Sequence, residues 1–205
     1  SNLFLLSGTL VARMTGVPLI AEVNAPLAIE RTRHGGLALL RLAHWFEGAT
    51  LNYVDHICAR KQPDAVAIFA RTESVDGVTS RTLSWDALEA QVGAAAAWMR
   101  AAGVKKGDRI AAYLPNTPET IVAFLACASL GAIWSSCSPD MGPGAVLDRF
   151  RQIEPKVFLT GDGYRYGGKA FDRSEVAAQI VRALPTVEHV IVMPFLNADV
   201  SPASI

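Results

Sequence analysis

Short apolar runs alternate with longer, helix-spaced stretches along most of this chain. The runs at residues 110–113, 132–134, 157–159 and 190–192 are continuous rather than alternating. That pattern predicts strands buried on both faces. The strands are expected to extend over 109–114, 132–135, 156–160 and 189–193. The turn Lys105-Lys106-Gly107-Asp108 feeds the first of them. Ser84 is placed to cap a long helix that reaches Ala102 and stops at Gly103. Asn116 and Glu119 have capping-box spacing, with Asn in place of Ser or Thr. The helix behind them is expected to reach Leu130 and end at Gly131. Further helices are predicted over 146–153 and 174–184. Strands and helices alternating at these lengths predict an α/β fold with a largely parallel sheet.

The earlier part of the chain is less regular. A helix is predicted over 52–60, with Asn52 as its cap. A strand at 66–71, a turn at Val75-Asp76-Gly77 and a two-residue strand at 82–83 follow. Residues 3–15 read as a mostly buried helix stopped by Gly16. Residues 17–23 read as a strand interrupted by Pro18 and Glu22, and 37–46 as a second helix.

Composition narrows the class. The 205 residues are 51% hydrophobic and 19% charged, which excludes a disordered chain. Lys+Arg and Asp+Glu both number 19, so no basic excess is available for general nucleic-acid binding. The partners expected are small molecules. No stretch is long enough to span a bilayer. The apolar opening lacks a basic start and a cleavage site, so it does not read as a signal peptide. The first residue is Ser rather than Met, and the chain is expected to begin inside a longer reading frame. Cys58, Cys127 and Cys137 have no metal-ligand spacing and are expected to be buried free thiols in a reducing compartment. Oligomeric state is left open.

Two segments carry candidate chemistry. No GxxxxGK[ST], GxGxxG or GxSxG motif occurs, and no histidine pair has metal spacing. Asp162-Gly163-Tyr164-Arg165-Tyr166-Gly167-Gly168-Lys169 follows a predicted strand, where α/β sheets place ligand loops. Its glycines let a ligand approach the backbone, and Arg165 and Lys169 are suited to phosphate oxygens. A solvated loop with a Gly-Gly turn accounts for the same residues. Ser135-Ser136-Cys137-Ser138-Pro139-Asp140 also lies past a strand. It reads either as the lining of a narrow channel or as a turn whose hydroxyls bond local backbone.

From Trp45 to Phe195 the chain resembles the AMP-forming acyl-CoA synthetases, and among them the acetoacetate–CoA ligases. Trp45-Phe46-Glu47-Gly48, Gly103-Val104-Lys105-Lys106-Gly107-Asp108-Arg109 and Leu114-Pro115-Asn116 carry part of this. Ile133-Trp134-Ser135-Ser136-Cys137-Ser138-Pro139-Asp140, Arg149-Phe150-Arg151-Gln152-Ile153-Glu154-Pro155-Lys156 and the 162–169 segment are more specific. Glu47 departs from the Pro usual in those ligases. Residues 45–205 are therefore expected to form an incomplete N-terminal domain of an adenylate-forming synthetase, with a helix–strand–helix segment before it.

The resemblance implies two steps. A carboxylate attacks the α-phosphate of ATP, giving an acyl-adenylate and pyrophosphate. Coenzyme A thiolate then displaces AMP, with Mg assisting. The family's Ser/Thr/Gly-rich phosphate loop and C-terminal lysine are not in this sequence. The chain alone is accordingly expected to be inactive and to bind none of ATP, coenzyme A or Mg. No catalytic or metal residue is assigned. Thr160-Gly161-Asp162 is similar to the family's ribose-contacting Thr-Gly-Asp, but its context belongs to the segment that follows. The resemblance implies that Arg165, Tyr166, Gly167, Gly168 and Lys169 meet the nucleotide end of coenzyme A. In a gapless match the phosphate-holding cation falls at Tyr166, and Lys169 matches a basic position directly. Trp134, Ser135 and Ser136 are implied to flank the pantetheine tunnel. Another short-chain acid–CoA ligase, such as an acetyl-CoA synthetase, is an alternative. A non-catalytic coenzyme-A-binding or assembly piece is a further one. A cytoplasmic location is expected.

Residues 1–44 resemble instead a segment of a group 1 glycosyltransferase N-terminal domain. Asn2-Leu3-Phe4-Leu5-Leu6, Glu22-Val23-Asn24-Ala25-Pro26-Leu27-Ala28 and Glu30-Arg31 carry that resemblance. Leu42-Ala43-His44-Trp45-Phe46-Glu47 fits both patterns, which suggests a junction made by recombination, assembly or design. A glycosyltransferase fragment is a distant alternative. The segment is not expected to share a packed core with the rest.

Overall fold

The computed structural model describes residues 51–59 and 61–197. The chain divides into two compact units, Ser1–Leu51 and Asn52–Ile205. The expected elements of residues 1–44 and the junction at 42–47 lie outside the described residues.

Local signals set most helix starts. Helix α1 (Tyr53–Cys58) begins at Asn52, whose Oδ1 accepts the Val54 N–H at 2.9 Å. The Asn52 amide also donates to the Ala128 and Ser129 carbonyls, at 3.1 and 3.2 Å. One residue thus caps α1 and satisfies the end of a distant helix. Strands β1 (Val66–Ser74) and β2 (Gly77–Ser84) form an antiparallel hairpin. β2 is far longer than the expected pair 82–83. Its first six residues are exposed, so no buried face leaves an apolar period to read. Ser84 caps α2 (Trp85–Ala101) as expected, its Oγ accepting from the Ala87 N–H at 3.3 Å.

Strand β3 (Arg109–Tyr113) leads to α3 (Pro118–Ser129). Here the expected capping box is corrected. Thr117, not Asn116, is the cap, and its Oγ1 accepts the Thr120 N–H at 3.4 Å. Pro118 fixes the first turn: it lacks an N–H that would go unused there, and it holds Thr117 extended. Glu119 instead pairs with Arg81 on β2. Burial acts to raise the Glu119 carboxyl, but the Arg81 hydrogen bond and charge hold it below its usual range.

Strand β4 (Ile133–Cys137), helix α4 (Pro143–Ile153) and strand β5 (Val157–Gly161) follow. α4 starts three residues before the expected Val146, again with proline in its first turn. The segment after β5, read as a loop, is a second hairpin of β6 (Gly163–Tyr166) and β7 (Lys169–Asp172). Helix α5 (Ser174–Arg182) and strand β8 (His189–Met193) complete the unit.

The four apolar runs pair as one parallel sheet in the order β4-β3-β5-β8. β3 and β5 are buried as expected, but β4 and β8, at the two ends of that order, are only partly covered. Ile110, Ala112, Val157 and Leu159 face one way and pack with Leu88, Val92 and Met99 of α2 and Val122 and Ala126 of α3. Ala111, Tyr113 and Phe158 face the other way, against Val146 and Phe150 of α4 and Ile180 of α5. This distribution follows from handedness. The crossover from β3 to β4 runs one way along the sheet, and those from β4 to β5 and β5 to β8 run the other. Right-handed connections must therefore lay α3 on one face and α4 and α5 on the opposite face. The order reverses between β3 and β5. Beyond the carboxyl ends of those strands the connecting loops diverge, and α/β sheets receive ligands there.

Candidate functional site

Four connections converge on that carboxyl edge: 114–117 after β3, 138–142 after β4, 162–173 after β5, and 194–197 after β8. Asp162 anchors them. It is 3% exposed. Its Oδ1 accepts the N–H groups of Phe195 and Leu196, at 2.7 and 3.0 Å. Its Oδ2 accepts those of Leu196 and Asn197, at 3.0 and 2.7 Å. Its backbone carbonyl takes the Arg173 N–H at 2.8 Å. A buried carboxylate with this many donors is a structural tie between β5 and the exit of β8. The Thr-Gly-Asp string thus serves the fold here.

The β6–β7 register decides how the candidate cations sit. Tyr164 faces Phe171, Arg165 faces Ala170, and Tyr166 faces Lys169. Neighbouring side chains in a strand point to opposite faces. Tyr164, Phe171, Tyr166 and Lys169 therefore share one face, and Arg165 lies on the other. A joint grip by Arg165 and Lys169 on one phosphate is not built into this geometry. The Tyr164 and Phe171 rings stack, with centroids 5.1 Å apart and planes 13° from parallel. Gly167 and Gly168 form the turn at φ +59° and +76°, the two successive positive values that a tight hairpin of this twist requires. At the base, a Cβ on Gly163 would stand 2.2 Å from the Phe171 carbonyl oxygen, so only glycine admits the partner strand.

Lys169 and Tyr166 are exposed, and neither makes a side-chain hydrogen bond or ion pair among the described residues. Arg165 is half-buried and likewise unpaired there. The Gly168 N–H is already engaged: it donates to Glu73 Oε2 at 2.9 Å, fastening the turn to the end of β1.

The second segment has a different character. β4 is one of the sheet's two edge strands among the described residues. Trp134 is half-buried and meets Phe124 edge-on at 6.0 Å, so its ring belongs to the packing over α3. Ser135 is half-buried and Ser136 exposed. Neither serine makes a side-chain hydrogen bond among the described residues. β4 is separated from β5 by β3, so Trp134-Ser135-Ser136 and the hairpin are set apart across the sheet.

What joins their neighbourhoods was invisible in the sequence. The Tyr113 hydroxyl lies 2.7 Å from the carbonyl oxygens of both Pro139 and Met141 and shares its proton between them. Burial pushes the Tyr113 phenol above its ordinary value, and the nearby Arg173 charge opposes this. Arg173 Nε donates to the Pro139 carbonyl at 2.8 Å. Its guanidinium lies 5.6 Å from the centre of the Tyr164 ring, with one nitrogen 3.4 Å from that hydroxyl. No motif marks Arg173, because its partners lie in two separate stretches of chain, at Pro139 and at 162–164.

The segment that carries these features is similar to known proteins. The family model described as AMP-binding enzyme matches residues 56–204. The chain belongs to the AMP-binding enzyme family. Within it, the chain is 42% identical over 154 residues to the acetoacetyl-CoA synthetase of Macaca fascicularis, covering 75% of this chain and 23% of that protein. It is 47% identical over 147 residues to acetoacetyl-coenzyme A synthetase of Rhizobium meliloti, covering 71% and 22%. The solved acetoacetyl-CoA synthetase from Streptomyces lividans superposes with TM-score 0.70 at 45% identity, over 76% of this chain and 24% of that one. The chain thus spans about a quarter of the length of these AMP-binding relatives. The family match leaves residues 1–44 outside it, and the glycosyltransferase resemblance gains no support from it.

The groups this family uses can be tested against the side chains. Lys169 beside an exposed glycine turn suits a phosphate. Among the described residues, no cluster of three His, Cys, Asp or Glu side chains is placed to hold a metal ion. Nor is any helix there long and apolar enough to cross a membrane. The cysteines correct one expectation: Cys127 and Cys137 are buried, but Cys58 is only half-buried. Burial pushes the Cys127 thiol up to about 12 and raises that of Cys137. Iodoacetamide at pH 8 is therefore expected to label Cys58 first and leave Cys127 unmodified in the native chain. Peptide mapping showing Cys127 labelled as fast as Cys58 would contradict this.

Proposed function

We propose that this chain works within an AMP-forming acetoacetate–CoA ligase and that the β6–β7 hairpin receives the phosphate end of coenzyme A. The observation carrying this reading is the single hairpin face that presents Tyr166 and Lys169 beside Gly167-Gly168. Lys169 brings a cation that makes no ion pair among the described residues, although the Glu73 carboxylate lies on the neighbouring Gly168 N–H. Tyr166, 72% exposed, offers an uncovered ring next to it. The glycine turn leaves room, since a Cβ on either glycine would meet nothing within 4 Å. Arg165 adds positive charge from the opposite face and has the lesser role. Ser135 and Ser136 border the pantetheine arm, and Trp134 holds their strand against α3. Coenzyme A supplies the thiol that accepts the acyl group. Adenylation, with its ATP and Mg, is assigned to neither segment. Three unpaired thiols fit a reducing, cytoplasmic setting.

In a full-length ligase carrying this segment, Lys169→Ala should raise the coenzyme A requirement about tenfold, the low end for an exposed charge-assisted contact. Acetoacetate-dependent ATP–pyrophosphate exchange should stay nearly unchanged. Equal losses in exchange and thioester formation would make the hairpin a structural element. The 205-residue chain by itself should give no exchange above a heat-killed control.

A further inference from the structure

We propose that Arg173 is a positioning residue that locks the β4–α4 loop and the β6–β7 hairpin into one unit. The inference rests on the coenzyme A reading above, because those elements adjoin the two segments assigned to that ligand. Three contacts define the role. The side chain grips the Pro139 carbonyl at 2.8 Å. The guanidinium lies against Tyr164, at 5.6 Å from the ring centre and 3.4 Å from its hydroxyl. The backbone N–H binds the Asp162 carbonyl at 2.8 Å.

The chemistry of these partners sets the role apart from an ordinary ion pair. Arg173 has no carboxylate partner among the described residues. Its charge is satisfied by a carbonyl dipole and an aromatic face. Only a planar fork reaches both in fixed geometry; a lysine ammonium is a point charge on a flexible stem. Tyr164 stacks on Phe171, so holding Tyr164 orients the whole hairpin face that carries Tyr166 and Lys169. Tyr113 fastens the same loop to the sheet through the Pro139 and Met141 carbonyls, and it shares the Pro139 carbonyl with Arg173. Loss of Arg173 should therefore free the hairpin from the loop and leave the sheet intact.

Hydrogen exchange on the 205-residue chain tests the coupling, and kinetics in a full-length ligase carrying the segment test its purpose. Arg173→Met should speed exchange at least tenfold at Met141 and across residues 164–171. Residues 110–113 and 157–160 should stay within twofold. Arg173→Lys should recover part of the protection at Met141 and little in the hairpin. In the ligase, Arg173→Met should raise the coenzyme A KM about tenfold and leave pyrophosphate exchange within twofold. Faster exchange in one element alone, or throughout the sheet, would overturn the proposal. If Lys169→Ala raises the coenzyme A requirement and Arg173→Met does not, the positioning role falls and the coenzyme A reading stands. If neither variant changes it, the coenzyme A reading falls and takes this inference with it.

Discussion

Asp162→Ala is expected to lower the unfolding free energy of this chain by about 3–5 kcal/mol, the loss typical of removing one partner from a buried, charged network. The carboxylate is 3% exposed and accepts from three successive N–H groups. Alanine leaves those donors without their acceptor and opens the link between β5 and the chain after β8. Asp162→Asn separates charge from shape. One amide oxygen can still accept, but the NH2 group turns donors toward a donor-lined site. An intermediate loss of about 1–3 kcal/mol is expected there. Urea unfolding of the three proteins measures the series. A shift below about 1 kcal/mol for Asp162→Ala would show that the 195–197 connection contributes little to the fold.

Phe158→Ala should cost a similar amount, about 3–5 kcal/mol, by a different route. Phe158, the second residue of β5, is fully buried. Its ring meets Phe150 of α4 edge-on, at 6.1 Å and 71°. Truncation removes apolar burial and leaves a cavity between the sheet and α4, which close-packed neighbours refill only in part. Phe158→Leu keeps most of the volume and should cost much less. Thermal melts with urea titration would check both. Equal losses for the two substitutions would mean that ring shape, not volume, governs the site.

Much of the fold was legible in local pattern. Residues 110–113 and 157–159 read as buried strands because continuous apolar runs suit a sheet covered on both faces, whereas 190–192, read the same way, lies at the end of the strand order and is only half-buried. Ser84 and Asn52 read as caps because a cap's bond closes within a few residues. Thr117 was missed because Asn116 and Glu119 offered the more familiar spacing, while Pro118 set the true helix start. β2 was cut short because its exposed residues carry no period. The candidate segment at 162–169 was found by its composition, but its hairpin form was not. Two short strands of four residues carry too few positions for alternation to show.

The sequence alone determined the α/β class and the four strands of the parallel sheet, and its motifs singled out two candidate segments. These depend on near neighbours along the chain, so periodicity, caps and motifs record them. The tertiary structure decided the order β4-β3-β5-β8, and with it the edge where the strand order reverses. It decided that Arg165 and Lys169 occupy opposite faces, because pairing register rather than spacing sets the direction of a side chain. It turned Asp162 from a candidate motif residue into a tie across the sheet edge, and it brought Arg173 to Pro139 and Tyr164. Each of the Asp162 and Arg173 partnerships includes a contact over 30 residues away in sequence, at 33–35 for Asp162 and 34 for Arg173. A hydrogen bond over such a separation leaves no local pattern; only the folded chain brings its two ends together.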